Sequence, residues 1–154
     1  MTKLITSDNT FSPQQRAIIQ FMVAMMIPAE GELPGAADAG ILPAIVAALA
    51  ENPDFVLQVL DWIEETSRQK FGIEFAKLEA SEKVAIVTLV RAQQAEFIKL
   101  FQVCVASSYY QDPRVMLNLG LEARPPHPGG YQVDATDWSL LEPVRSMEKI
   151  YRPA

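Results

Sequence analysis

The sequence predicts an all-α protein: an irregular bundle of about four main helices over residues 1–108, then a long, extended, proline-rich tail over 109–154 with one short helix, both within one domain. Three observations carry this reading. Apolar residues recur at three-and-four spacing from Ala17 to Val105, the periodicity of a buried helix face. No segment shows the strict alternation of a half-buried strand. At Tyr109 the chain changes character: all seven Phe precede it, all four Tyr lie at or after it, and about half of the 11 prolines follow it.

The first helix starts at Ser12-Pro13-Gln14-Gln15, where Ser12 can cap, proline suits the first turn and Gln15 can complete a capping box. Ala17, Ile18, Phe21, Met22 and Met25 then form its apolar face, and Pro28 ends it. The segment from Pro28 to Gly35 is a loop, with Pro34-Gly35 as a turn signal. A second helix is expected from about Ala37–Ala39, burying Ile41, Leu42, Ile45, Val46 and Leu49, with Pro43 tolerable only in its first turn. Asn52-Pro53 repeats the cap-then-proline signature. Phe55, Val56, Val59, Leu60 and Ile63 follow with helical period, and Gly72 provides a stop.

Ser81-Glu82 opens what reads as the longest helix, continuous to Ser107 and roughly 40 Å long at 1.5 Å per residue. Its apolar residues, Val84 to Val105, cover more than one face, as expected of a strut surrounded by other helices. Val87, Leu100 and Phe101 are the expected core positions. In the tail, Leu140, Leu141, Val144, Met147 and Ile150 give a loose helical spacing over Ser139–Ile150, with Pro143 in the first turn.

Composition excludes most catalytic machinery. The chain has 154 residues, 49% hydrophobic and 21% charged, enough to bury a core without metal or disulfide. One cysteine, Cys104, rules out an internal disulfide or multi-cysteine zinc site, and one histidine, His127, rules out di-iron Glu-x-x-His pairs. A net charge of −6 argues against a nucleic-acid or anionic-membrane surface. Loop Gly31–Gly40 has no Gly-x-Gly-x-x-Gly and follows a helix, so no dinucleotide or phosphate loop is read there. Asp61, Glu64 and Glu65 read as a solvated helix face, with Glu64 and Arg68 spaced for an i,i+4 ion pair. Cys104 reads as a buried structural thiol, lacking a neighbouring base. The methionines Met22, Met25 and Met26 read as core filler. No catalytic, cofactor-binding or metal-binding residue is assigned.

Two stretches together resemble the gluconate 2-dehydrogenase subunit 3 family. The first is Ile27-Pro-Ala-Glu-Gly-Glu-Leu-Pro-Gly-Ala-Ala-Asp-Ala-Gly40. The second is Tyr109-Tyr110-Gln111-Asp112-Pro113-Arg114-Val115, followed by Leu119-Gly120, by Arg124-Pro125-Pro126-His127-Pro128-Gly129-Gly130-Tyr131, and by Ile150-Tyr151-Arg152. The resemblance implies a non-catalytic accessory and assembly subunit of a membrane-associated, flavin-dependent gluconate or related sugar dehydrogenase. The FAD would reside in the partner large subunit and a cytochrome c subunit would take the electrons. Members that accompany exported dehydrogenases typically carry a twin-arginine signal; none is present here, so the chain as written reads as cytoplasmic, the alternative being a periplasmic or inner-membrane-associated place through its complex. The rival readings are a stand-alone helical binding module with an unrelated partner, and a small enzyme using Cys104 or His127.

The tail is the expected interface with the large subunit or with a second copy of the chain. Tyrosines are favoured where a surface is half wet, and prolines hold a segment extended and lower the entropy lost on docking. The interface candidates are Tyr109, Tyr110, Asp112, Arg114, Pro125, Pro126, His127, Tyr131 and Trp138, with Asp112 and Arg114 expected to fix the turn at Pro113 rather than touch a substrate.

Overall fold

The computed structural model describes residues 10–124, 127, 129–130 and 135–148. Its described residues are helical, with no β-strand. They fall into two units, one ending at Ala123 and one beginning at Arg124.

In the first unit, α1 (Pro13–Met26) begins as its sequence dictates. The Ser12 hydroxyl accepts from the Gln15 amide at 3.2 Å, and the Gln15 side chain accepts from the Ser12 amide at 2.9 Å, satisfying two otherwise orphaned donors. The buried residues are Ile18, Ile19, Met22 and Val23, a stripe rotated from the expected one: Met25 is 43% exposed. Nearly every residue from Ile18 to Met26 is apolar, so the neighbouring helices, and not the pattern, select the inward face.

α2 (Leu42–Leu49) starts later than expected, with Pro43 in its first turn, and buries Ile45, Val46 and Leu49. α3 (Pro53–Phe71) is the longest helix at 19 residues. Gly72 terminates it at φ +77°, its amide donating to Arg68 O, a left-handed stop that a side chain would strain.

The expected long strut is two helices. α4 (Ala80–Gln93) opens on a capping box between Glu79 and Glu82, and α5 (Ala95–Tyr109) follows after a break at Gln94. Gln94 leaves the helical region at φ −121°, ψ 51°, closing α4 by donating to Val90 O and opening α5 by accepting from Ile98. The break redirects the chain so that Ile86, Val87 and Val90 of α4 and Phe97, Phe101, Cys104 and Val105 of α5 all enter one core. Leu100 is only partly buried, packed against that core. Five helices of eight or more residues thus replace the four expected.

The core is continuous from Phe11 to Val115. α5 packs most extensively on α2 and also meets α3 and α4. Three phenylalanines stack in sequence, Phe55 to Phe97 at 6.4 Å and Phe97 to Phe101 at 5.6 Å between ring centroids. The 3-10 turn Phe75–Lys77 seats Phe75 against Phe21 at 5.7 Å.

Beyond Tyr109 the chain forms one further helix, α6 (Pro113–Asn118), within the range expected to be an extended tail. The first unit therefore continues past residue 108. In the second unit, a 3-10 turn Trp138–Leu141 leads into the four-residue α7 (Glu142–Arg145), with Pro143 in its first turn. This is shorter than the expected Ser139–Ile150 helix, and the end of that range lies outside the described residues. None of the described residues of this unit is buried. No described helix is long and apolar enough to cross a membrane.

Candidate functional site

The two motif stretches, about 75 residues apart in sequence, meet in space, joined by three long-range polar contacts. Tyr109 donates from its hydroxyl to Pro34 O at 2.9 Å. Arg114 Nη2 donates to Asp38 Oδ1 at 2.8 Å, and Asn118 Nδ2 donates to Glu32 O at 2.9 Å.

The loop side is shaped by its glycines. Glu30 and Leu33 exchange two backbone hydrogen bonds across a two-residue turn, and Gly31, at φ +57°, takes the first turn position, where glycine is favoured. Ala36 N donates to Ile27 O at 3.0 Å, folding the loop against itself so tightly that a Cβ on Gly35 would lie 2.9 Å from Ala29 N.

On the opposing side, Asp112 caps α6: its Oδ1 accepts from the Arg114 amide at 2.9 Å and from Arg114 Nε at 3.1 Å, while Oδ2 accepts from Nη2 at 3.0 Å. Arg114 is thus held by two carboxylates, with Asp38 itself fixed by the Gly40 amide at 2.8 Å. A Cβ on Gly40 would lie 2.8 Å from Arg114 Nη2, so a side chain there would displace the guanidinium from this position. The hydrogen bonds from Arg114 hold both Asp38 and Asp112 below the ordinary carboxylate range, and the two carboxylates raise Arg114 in turn. α6 ends in a Schellman motif: Leu121 N donates to Met116 O, Gly120 N donates to Leu117 O, and Gly120 sits at φ +73°.

A cavity of about 220 Å³ lies between these two sides. Buried Tyr109 and Val115 form its floor, Ile27 and Leu33 line the loop side, and Tyr110 and Leu119 stand exposed at its edge. Tyr110 meets Tyr109 edge-to-face at 5.2 Å.

The structure sorts the sequence-derived candidates. Tyr109 is 4% exposed, its hydroxyl raised above the usual tyrosine range chiefly by burial; it is an internal strut that presents only the floor of the cavity. Asp112 and Arg114 fix the start of α6, as their spacing predicts, and Arg114 also reaches Asp38, which the sequence reading did not single out. Tyr110 and Trp138 are exposed, at 57% and 63%. His127 is exposed in the second unit, in the segment where Arg124 Nη2 donates to Gly130 O at 2.6 Å. Pro125, Pro126 and Tyr131 lie outside the described residues.

The other sequence candidates resolve as follows. Cys104 is buried, its thiol raised by desolvation first and by Glu51 second. Glu64 does not pair with Arg68: it accepts from the Phe75 amide at 3.3 Å, and Arg68 meets Glu74 instead, at 3.9 Å. A cavity of about 470 Å³ is lined by Asp61, Glu64, Glu65 and Glu74 among others. Of the three clustered methionines Met22 is buried, Met26 is partly buried against the core and Met25 is exposed, and all three help line a cleft of about 170 Å³. Among the described residues no group of three His, Cys, Asp or Glu side chains could hold a metal ion.

Residues 13–129 match the family model described as gluconate 2-dehydrogenase subunit 3. Neither a curated protein nor a solved structure gives a significant match.

Proposed function

The chain belongs to the gluconate 2-dehydrogenase subunit 3 family, and on that premise we propose that it is a non-catalytic accessory subunit that binds and stabilises a flavin-dependent gluconate or related sugar dehydrogenase. The observation that carries this reading is the family match over residues 13–129, which takes in residues 27–40 and 109–115. The architecture supports it: the hydrogen bonds of the motif residues Tyr109, Asp112 and Arg114 serve to lock one loop to one helix.

The expectation that this chain carries no flavin is supported by the charge of its acidic cavity: a dinucleotide's pyrophosphate needs backbone amides or cations, whereas that cavity carries four carboxylates and one arginine, Arg68, already turned to Glu74. In this proposal FAD belongs to the large subunit, electrons leave through a cytochrome c subunit, and this chain supplies contact area. On this reading exposed Tyr110 of the first unit and exposed Trp138 of the second each supply an aromatic anchor of the kind that dominates protein interfaces, and Pro125, Pro126, His127 and Tyr131 are further candidates for contact with the partner. The test is to produce the large subunit of the host's flavin-dependent dehydrogenase with and without this chain. The account expects folded, flavin-loaded large subunit to accumulate only with the chain present; equal yield and activity without it would overturn the reading.

A further inference from the structure

The first unit carries an apolar patch next to its motif cavity. Leu117, Leu119 and Leu121 are 62%, 47% and 55% exposed, three large apolar side chains within five residues, and exposed Tyr110 lies on the same cavity as Leu119. Large apolar side chains exposed at the rim of a cavity, as Tyr110 and Leu119 are, mark an interaction site. The same edge is acidic. Glu30 lines the cavity, and the Asn118–Glu32 bond fixes Glu32 beside the end of α6. Both glutamates are exposed and neither forms an ion pair among the described residues, unlike Glu74, Glu96 and Asp112. Asp38 and Asp112 share only Arg114, so the cluster as a whole is negative.

Resting on the accessory-subunit reading, we infer that this cavity is an anchor pocket for the flavoprotein subunit, receiving one apolar side chain of leucine or phenylalanine size flanked by lysine or arginine. An opening of about 220 Å³ is small for a cofactor, since sites for small molecules run to roughly 300–1,000 Å³, but it suits a single side chain. A buried aromatic floor with an exposed apolar wall is the setting of an interface hot spot. The two unpaired carboxylates select a basic flank and steer its approach.

The test measures affinity for the separately purified flavoprotein subunit at low and high salt. Tyr110→Ala and Leu119→Asp should each weaken binding by about tenfold or more, the effect of losing a hot-spot contact. The double reversal Glu30→Lys/Glu32→Lys should weaken it at low salt and remove most of its salt dependence. Val84→Asp, exposed on α4, should leave affinity within about twofold. Because the two glutamates are exposed, the reversal reports on the pocket even if Leu119→Asp unfolds the chain. Undiminished affinity in Tyr110→Ala and in the reversal overturns the pocket and leaves the accessory reading standing. A dimer of the isolated chain that Leu119→Asp dissociates overturns it in favour of a second copy as occupant. Failure of the unaltered chain to bind the flavoprotein overturns both.

Discussion

Replacing Phe97 by alanine tests whether α5 is central to the bundle. Phe97 is 1% exposed and its ring meets two others, Phe55 at 6.4 Å and Phe101 at 5.6 Å. Truncating a buried phenylalanine costs roughly 3–5 kcal/mol, combining lost transfer energy with the cavity left behind. Loss of the two ring pairs, worth about 0.5–1.5 kcal/mol each beyond burial, places Phe97 in the upper half of that range. A unit of this size has a total stability of roughly 6–17 kcal/mol, so the variant stays folded but loses a large fraction of its margin. The assay is urea unfolding followed by circular dichroism, with the midpoint falling and the slope unchanged. On the same helix, Val103→Ala should change stability by less than about 0.5 kcal/mol, because Val103 is 64% exposed. A loss below about 1 kcal/mol for Phe97→Ala, or equal losses at the two positions, would refute the packing derived for α5.

Further outcomes follow from the clasp and the thiol. Asp38 and Asp112 both have folded pKa values lowered from the ordinary 3.8, so their contribution is fully present above that value and is lost as pH falls through the lower folded values. The Arg114 guanidinium resonances should therefore report an intact clasp at neutral pH and release only below the usual carboxylate range; release near pH 6 would contradict the assignment. Gly35→Ala should destabilise the unit by roughly 1–3 kcal/mol, the cost of overpacking, since the added Cβ meets backbone and not a movable side-chain end; unchanged thermal unfolding would count against the loop geometry. Cys104, buried and raised in pKa, should react with a thiol reagent at pH 8 far more slowly in the native protein than in urea. Rapid modification of the native protein would show the thiol to be accessible.

Local signals in the sequence located both ends of α1 and of α3. Ser12-Pro13 with Gln15, and Pro53 with Gly72, act through short-range backbone geometry and lie where that geometry predicts, although the Asn52 side chain makes no capping hydrogen bond. The break at Gln94 was hidden because Val90 and Phe97 are seven residues apart, two helical turns, so the apolar period reads straight through it. No glycine or proline marks the site; the core shared by α4 and α5 imposes the turn. α6 carried the cap-then-proline signature in Asp112-Pro113, but six residues are too few to display a period. The same distance in sequence hid the clasp: Asp38 and Arg114 are 76 residues apart, and nothing local couples an aspartate in a loop to an arginine at the start of α6. Tyrosine suits wet surfaces and satisfied buried sites alike, so nothing in the sequence tells that Tyr109 is buried with its hydroxyl on the Pro34 carbonyl.

The central claim, that this chain binds a flavoprotein without doing its chemistry, is tested most directly by flavin stoichiometry. The chain is purified from its native host through a tag, resolved by size, and scanned for flavin absorbance alongside protein mass. The account predicts one flavin per complex, carried on the large subunit, and no flavin or sugar-oxidising turnover in the isolated chain. A complex without flavin, or flavin bound to the isolated chain at one per molecule, would contradict it.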